Sequence, residues 1–571
     1  MSVPFLLRLA LLALGGLAQS VALAQSAAPA AVPTTASAPA LPAQDLTGSM
    51  LYEFLLGEIA GQRGEPELAA QTYLALARRT RDPRVARRAM ELAGAARMQA
   101  LALEAAMLWH DIEPSSSRAL QTVTALLIGA RRLDDAEPYL AKLIAARETS
   151  PPNAFLQIGR LLGRHPDHAA VLRVVRRLAD GYPDLPEARF AVAQAAYAAA
   201  ERQEALEALR KAAQMRPDWE AVALFEAQIL QRTSPDEAIA RLGAFLERNP
   251  QSREARLGYA RLLVVARRYP QARAQFERLL AAYPGNAEVI HAVGLLAFQL
   301  KDYPLAEANL KRLLTLEIRD RDSVRFTLGQ VAEEQKDWSR AIQWYEEIVA
   351  GDQFLPARLR IANAMFRQGR LGEAREYIRA IKVNENQDRV QLVVAEAQLL
   401  REANRHDDAF DLLGQALVRE PDQPELLYDI ALTAEKLERF DVLESHLRKL
   451  IQKRPEHAHA YNALGYSLAD RNVRLDEARK LIEKALELSP EDAFIIDSMG
   501  WVLYRQGDMK GAIEQLQRAY RARPDAEIGA HLGEVLWVSG AREEANRIWD
   551  ESLKGHPDND TLRKTVERLR R

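Results

Sequence analysis

Residues 495–508, IIDSMGWVLYRQGD, carry two stripes of different character within one helical period. Ile496, Met499, Gly500 and Leu503 fall at i, i+3, i+4 and i+7 and form an apolar face. Asp497, Trp501, Tyr504 and Arg505 fall at helical spacing on another face. The first stripe predicts a helix packed against a core. The second leaves open why a Trp and a Tyr lie outside that stripe.

The period extends far beyond one helix. Pro421, Pro455, Pro490, Pro524 and Pro557 are 34, 35, 34 and 33 residues apart. Pro183, Pro217, Pro250 and Pro284 are 34, 33 and 34 apart. Ala205, Ala238, Ala272, Ala306, Ala341, Ala374 and Ala409 keep the same beat, each followed four residues on by a large apolar side chain. Units begin near residues 50, 83, 117, 152, 186, 220, 253, 287, 322, 355, 390, 424, 458, 493 and 526, about fifteen in all. A repeat of this length reads as a pair of helices that cannot bury its apolar face alone and must stack on neighbours.

The spacing within a unit resembles the tetratricopeptide repeat (TPR) pattern. Ile496, Met499-Gly500 and Leu503 stand for the first helix of unit 493–524, and Ala512, Leu516, Ala519 and Pro524 for the second. Unit 458–490 repeats this with Tyr461, Leu464-Gly465, Leu468, Ala478, Ile482, Ala485 and Pro490. The resemblance implies an all-α TPR α-solenoid, a right-handed superhelix of helix–turn–helix repeats over 49–557. A helix at 558–571, with Leu562, Val566 and Leu569 on one side, is expected to cap it. Small residues at the eighth and twentieth positions let backbones approach. The closing proline is expected at the start of the next helix, where its missing N–H costs nothing.

Composition agrees with helices. Aromatic residues make up only 6% of the 571, and the chain is rich in Ala, Leu, Arg and Glu. The formal net charge is −2, which argues against bulk electrostatic binding of nucleic acid. With no cysteine, thiolate chemistry, disulfides and a lipid-bearing N-terminal Cys are excluded.

Residues 1–24 carry one basic residue, Arg8, then an apolar run from Leu9 to Leu17, and end in Ala22-Leu23-Ala24. They are expected to be a signal peptide cleaved after Ala24, making the protein periplasmic. The run is short for a permanent span. Residues 25–48 are dominated by Ala, Pro, Ser and Thr and are expected to be a flexible tether.

No metalloprotease, nucleophile-elbow, Walker or dinucleotide motif occurs, so no catalytic residue, cofactor or metal is expected. The pairs His457/His459 and His165/His168 sit at expected helix starts and turns. The densest charge run, RRTRDPRVARR at 78–88, offers Arg84 and Arg87 as a candidate basic patch, against the plainer reading of solvated helix ends.

In TPR proteins the first helix of each unit lines the concave face. Carried over to this chain, the resemblance places Tyr428, Asn462, Tyr466, Asp497, Trp501, Tyr504, Arg505, Glu534 and Trp537 in that groove. Their rings either bind a partner or pack against neighbouring first helices. His291, Phe298, Phe326 and Phe366 lie at comparable positions in the middle units. No unit offers a Lys and an Asn together in the groove stripe, so a carboxylate clamp is not expected.

The stretches YNALGYSLADR, DAFIIDSMGWVLYRQGD and AHLGEVLWVSG, between Tyr461 and Trp549, resemble the end of a proteobacterial envelope TPR family. That family includes a lipoprotein adaptor of a periplasmic carboxyl-terminal processing protease. It implies a non-catalytic scaffold whose partners are envelope proteins, among them such a protease and its substrates. Lacking any Cys, this chain would have no lipid anchor and would reach the outer membrane only through partners. The alternative is an organising subunit of an envelope assembly or polysaccharide-export complex. The repeat register itself can be tested at Ala512. Ala512→Trp should lower stability by about 1–3 kcal/mol through overpacking, and an unchanged thermal melt would refute the register.

Overall fold

The computed structural model describes residues 45–146 and 150–570. The expected signal segment and residues 25–44 of the expected tether lie outside the described residues. Among those described there are 31 helices and no strand. None of the helices is long and apolar enough to cross a membrane. Consecutive helices pair antiparallel in two compact units, one ending at Leu316 and one beginning at Glu317.

First helices start at Gly48, Pro83, Ser117, Pro151, Pro186, Glu220, Arg253 and Ala287 in the first unit. In the second they start at Arg321, Phe354, Asn386, Pro424, Ala458, Ala493 and Ala526. Local chemistry sets these starts. The Asp82 carboxylate accepts from the Arg84 N–H at 2.8 Å. Asp492 accepts from Phe494 at 2.9 Å. Each satisfies a donor that helix geometry leaves orphaned. Pro83, Pro151, Pro186 and Pro424 occupy the first turn.

The periodic prolines do something different from the expectation. They sit one turn earlier, at the second position of a β-turn that leaves the preceding helix. Around Pro250 the Ser252 N–H donates to Asn249 O at 3.1 Å. Around Pro284 Asn286 donates to Tyr283 O at 3.1 Å, and around Pro455 His457 donates to Arg454 O at 3.0 Å. Proline suits that position because its ring presets φ and no N–H is required there. At three of these prolines the carbonyl is then taken up by a cation 28 residues further on. Arg312 donates to Pro284 O at 2.6 Å, Lys449 to Pro421 O at 2.6 Å and Arg518 to Pro490 O at 2.7 Å.

Among the described residues, the turn inside a repeat uses a left-handed residue in all but the repeats begun by Pro151 and Glu220. Gly507 has φ +87°, and the next N–H, on Asp508, reaches back to Leu503 O at 2.9 Å. Arg267, Lys301 and Glu438 hold the equivalent place with φ between 55° and 60°. A non-glycine residue there costs about 1 kcal/mol, and a cation recovers part of it beside the negative end of the helix.

Close approach of the two helices of a repeat occurs at the eighth position of the first. A Cβ on Gly533 would lie 2.0 Å from Trp549 Nε1, and one on Gly500 2.5 Å from Leu516 Cγ. Trp549 and Leu516 are fully buried. The terminal helix, Asp560–Arg570, buries Leu562 and Val566 and leaves Arg563, Lys564 and Glu567 exposed. It ends the second unit with a polar exterior.

Two glycines make opposite predictions. Gly533→Ala should destabilise the second unit by about 1–3 kcal/mol, because the indole has to shift. Gly414, inside the helix His406–Arg419, has nothing within 4 Å of an added Cβ. Gly414→Ala should therefore stabilise by about 0.5–1 kcal/mol. Thermal melts of the two variants check both signs.

Candidate interaction groove

The residues expected on the groove face come from four consecutive first helices of the second unit: Pro424–Lys436, Ala458–Asp470, Ala493–Arg505 and Ala526–Val538. The middle of this set is a connected cluster. Asp497 and His531 are both buried, and His531 Nδ1 lies 2.9 and 3.1 Å from the two Asp497 oxygens. The Trp501 ring stacks on the imidazole, with centroids 4.3 Å apart and planes 25° apart. Trp501 Nε1 donates to Asp470 at 3.3 Å, and Tyr466 OH lies 3.4 Å from His531 Nε2. Tyr504 packs beside Trp501 at 5.2 Å and donates to Glu534 at 3.5 Å. Glu534 also accepts from Arg568 of the terminal helix.

Burial divides the set. Asp497, Trp501 and Glu534 are only 5%, 5% and 7% exposed, so their polar groups are committed within the chain. Tyr428, Asn462, Tyr466, Tyr504, Arg505 and Trp537 keep part of their surface open. Arg505 sits over the Trp501 ring at 6.0 Å. Two residues stand apart from the cluster. Tyr428 packs on His457, with centroids 5.4 Å apart. Trp537 turns to Trp549 of the following helix at 5.5 Å and to Arg542.

Sequence reasoning missed His531, Asp470 and Arg568. A signal for two of them exists: Asp497 to His531 and Glu534 to Arg568 are each 34 residues apart, one repeat length. Acid and base one repeat apart land on adjacent helices. His457 acts as a helix cap, its Nδ1 accepting from the Ala460 N–H at 3.1 Å. Among the described residues no group of three or more His, Cys, Asp or Glu is placed to hold a metal ion.

The candidate basic patch at Arg84 and Arg87, in the first unit, is neutralised. Arg84 Nη2 meets the capping carboxylate of Asp82 at 2.6 Å, and Arg87 pairs with Glu91 one turn on at 3.5 Å. The rest of the run is engaged too: Arg78 with Glu104, Arg79 with Glu53, Arg81 with Asp111 and Arg88 with Glu58. Each arginine of the stretch thus has an acidic partner, several of them on other helices.

Electrostatics in the cluster follow from burial. Loss of water opposes a proton on His531, but Asp497, with Glu527 and Asp470, outweighs it and holds the ring above its ordinary pKa. Burial, followed by Asp429, Glu435 and Asp492, pushes Tyr428 up to about 12. Burial likewise raises Tyr466, with Asp470 and Asp497 next.

Paired helices repeating at a near-constant interval, stacked through small-against-large contacts and with a polar–aromatic face on successive first helices, define a helical-repeat interaction protein. Family models described as tetratricopeptide repeat match residues 230–296, 292–356, 394–442, 428–493 and 498–560. TPR repeat-containing protein PA4667 of Pseudomonas aeruginosa is 32% identical over 520 residues, covering 91% of this chain and 88% of that one. The chain belongs to the tetratricopeptide repeat family. It is also similar to the human protein O-mannosyl-transferase TMTC1, 23% identical over 172 residues, which is 29% of this chain and 19% of that protein. Among solved structures, Naa15/Naa10 bound to HypK-THB aligns at 17% identity over 69% of this chain and 67% of that chain, with a TM-score of 0.37.

The His531–Asp497 pair gives a pH prediction. A raised folded pKa contributes stability that is fully present below the unfolded value, about 6.5, and is lost as pH rises through the folded value. The melting midpoint should fall over that window more steeply in the wild type than in His531→Phe. Parallel pH profiles from differential scanning calorimetry would contradict the pairing.

Proposed function

We propose that the chain is a non-catalytic scaffold of the bacterial envelope, exported with residues 1–24 removed, which presents substrates to a carboxyl-terminal processing protease. One observation carries the reading. Tyr504 and Arg505 are part-exposed on a face whose rings are immobilised from behind by the His531–Asp497 pair and Trp501. Rigid, half-open aromatic and Arg side chains are the usual anchors of protein recognition, because little rotamer freedom is lost on binding. TPR arrays bind proteins in general, and the signal-like N-terminus supports an exported location. The resemblance of the Tyr461–Trp549 stretch to the adaptor family supports the choice of partner.

Burial directs the test to Tyr504 and Arg505 and away from Trp501, whose removal would open the core. Affinity capture with the full chain from an envelope fraction should recover a processing protease together with cell-wall hydrolases. Tyr504→Ala/Arg505→Glu should cut that recovery by about tenfold or more while leaving the melting midpoint near that of the wild type. Recovery of synthase or export subunits instead, or capture indifferent to the double substitution, would overturn the reading.

A further inference from the structure

The aromatic face of the second unit is built over a titratable group. His531, on the helix Ala526–Val538, is buried, and three side chains fix its ring. Asp497 meets Nδ1 at 2.9 and 3.1 Å, Trp501 stacks on the ring at 4.3 Å, and the Tyr466 hydroxyl lies 3.4 Å from Nε2. Trp501 in turn carries Tyr504 at 5.2 Å and Arg505 at 6.0 Å. The half-open side chains of the groove therefore stand one ring away from the imidazole.

The proton on that imidazole changes what each neighbour can do. A histidine protonated on both nitrogens has two donors and no acceptor. Nδ1–H then donates to Asp497 as half of an ion pair, Nε2–H donates to the Tyr466 oxygen, and Trp501 stacks on a cation. When one proton leaves, the remaining hydrogen stays on Nδ1, because the facing carboxylate only accepts. Nε2 becomes an acceptor, and the Tyr466 hydroxyl has to turn round to donate to it. The Trp501 stack loses its cation. Asp497 loses its counter-charge, and among the described residues it has no other basic partner. A buried carboxylate left uncompensated is costly, and the cost falls as the helices around it loosen and admit water.

The surroundings offer no substitute. The groups that face the ring are Asp497 and Trp501 from Ala493–Arg505, Tyr466 and Asp470 from Ala458–Asp470, and Glu527 of its own helix. The terminal helix brings Arg568, which Glu534 takes up. The two remaining neighbours, Met509–Ala522 and Arg542–Gly555, bury no charged residue.

We propose that the His531 proton is a switch for this face: with it the rings are held and a partner is gripped, and without it they loosen and the partner is released. The partner half rests on the function proposed above; the loosening of the rings does not. Asp497 holds the proton above the ordinary histidine range, so release falls on the alkaline side of about 6.5.

The test uses the full chain. With its histidines isotope-labelled, the magnetic-resonance signal that is absent from His531→Gln reports the ring, and its midpoint should lie above about 6.5. Hydrogen exchange over Ala458–Asp470 and Ala493–Arg505 is read by mass spectrometry as the ratio of wild type to His531→Gln, so that the intrinsic pH dependence cancels. The ratio should lie well below unity on the acid side of the midpoint and approach unity above it. Recovery of the processing protease from an envelope fraction should fall about fivefold or more across the same window and stay level for His531→Gln. Asp497→Asn removes the carboxylate that holds the proton, so its midpoint should drop below about 6.5, burial alone disfavouring the cation. A wild-type ring that titrates below about 6.5, or an exchange ratio equal on both sides of the midpoint, overturns the switch. Protease recovered equally across the window overturns it as well and leaves the groove reading standing. Exchange that follows the proton while no protease is recovered at any pH supports the switch and overturns the choice of partner.

Discussion

Everything in this fold rests on the inability of two short helices to bury their own apolar faces. The solution is close approach within a repeat, repeated at a fixed distance along the chain. A small residue in the first helix faces a large one sixteen residues later: Gly57 and Tyr73, Gly329 and Tyr345, Gly500 and Leu516, Gly533 and Trp549. Burying one aromatic ring of this kind contributes at most about 4–6 kcal/mol, from about 25 cal/mol per Å² over about 150–250 Å². The contact forms only while the backbones are near, so a side chain at the glycine would cost part of that gain. Stacking on the next repeat then covers what the pair leaves open.

Polar chemistry follows the same spacing. Arg or Lys struts reach the proline carbonyl 28 residues back, and acid–base pairs such as Asp497–His531 and Glu534–Arg568 span one repeat. Exposed ion pairs between helices add little each. The buried pair does more. It fixes the rings of Tyr466 and Trp501 from behind, so the face beyond them is stiff.

The helix starts were legible because capping and proline chemistry are local. Pro83, Pro186 and Pro424 mark them directly. The role of the periodic prolines was not, since a first-turn proline and a β-turn proline three residues earlier leave the same spacing. Membership of the groove face was legible only as a stripe. Trp501 lies on that stripe, yet it is buried, with its ring stacked on His531 of the next first helix. The Arg run at 78–88 looked like free charge because its partners Glu53, Glu104 and Asp111 sit on other helices, 26 to 30 residues away. Single-sequence periodicity identifies faces; it does not say which neighbour covers them.

The sixteen-residue contact has a consequence for how such a sequence can drift. Rings face glycine at 57/73, 329/345 and 533/549, whereas Leu or Ile faces alanine at 193/209, 362/378, 397/413 and 431/447, with all of the latter buried. The division is not strict: Phe276 stands opposite Ala260, and Leu310 and Leu516 face Gly294 and Gly500. The summed volume of each couple is what the backbone spacing constrains. Either member changed alone leaves a void or a clash, while a joint exchange leaves the repeat intact. Mutational effects at these sites are therefore epistatic within a repeat and nearly independent between distant repeats, so the chain can be rewritten couple by couple.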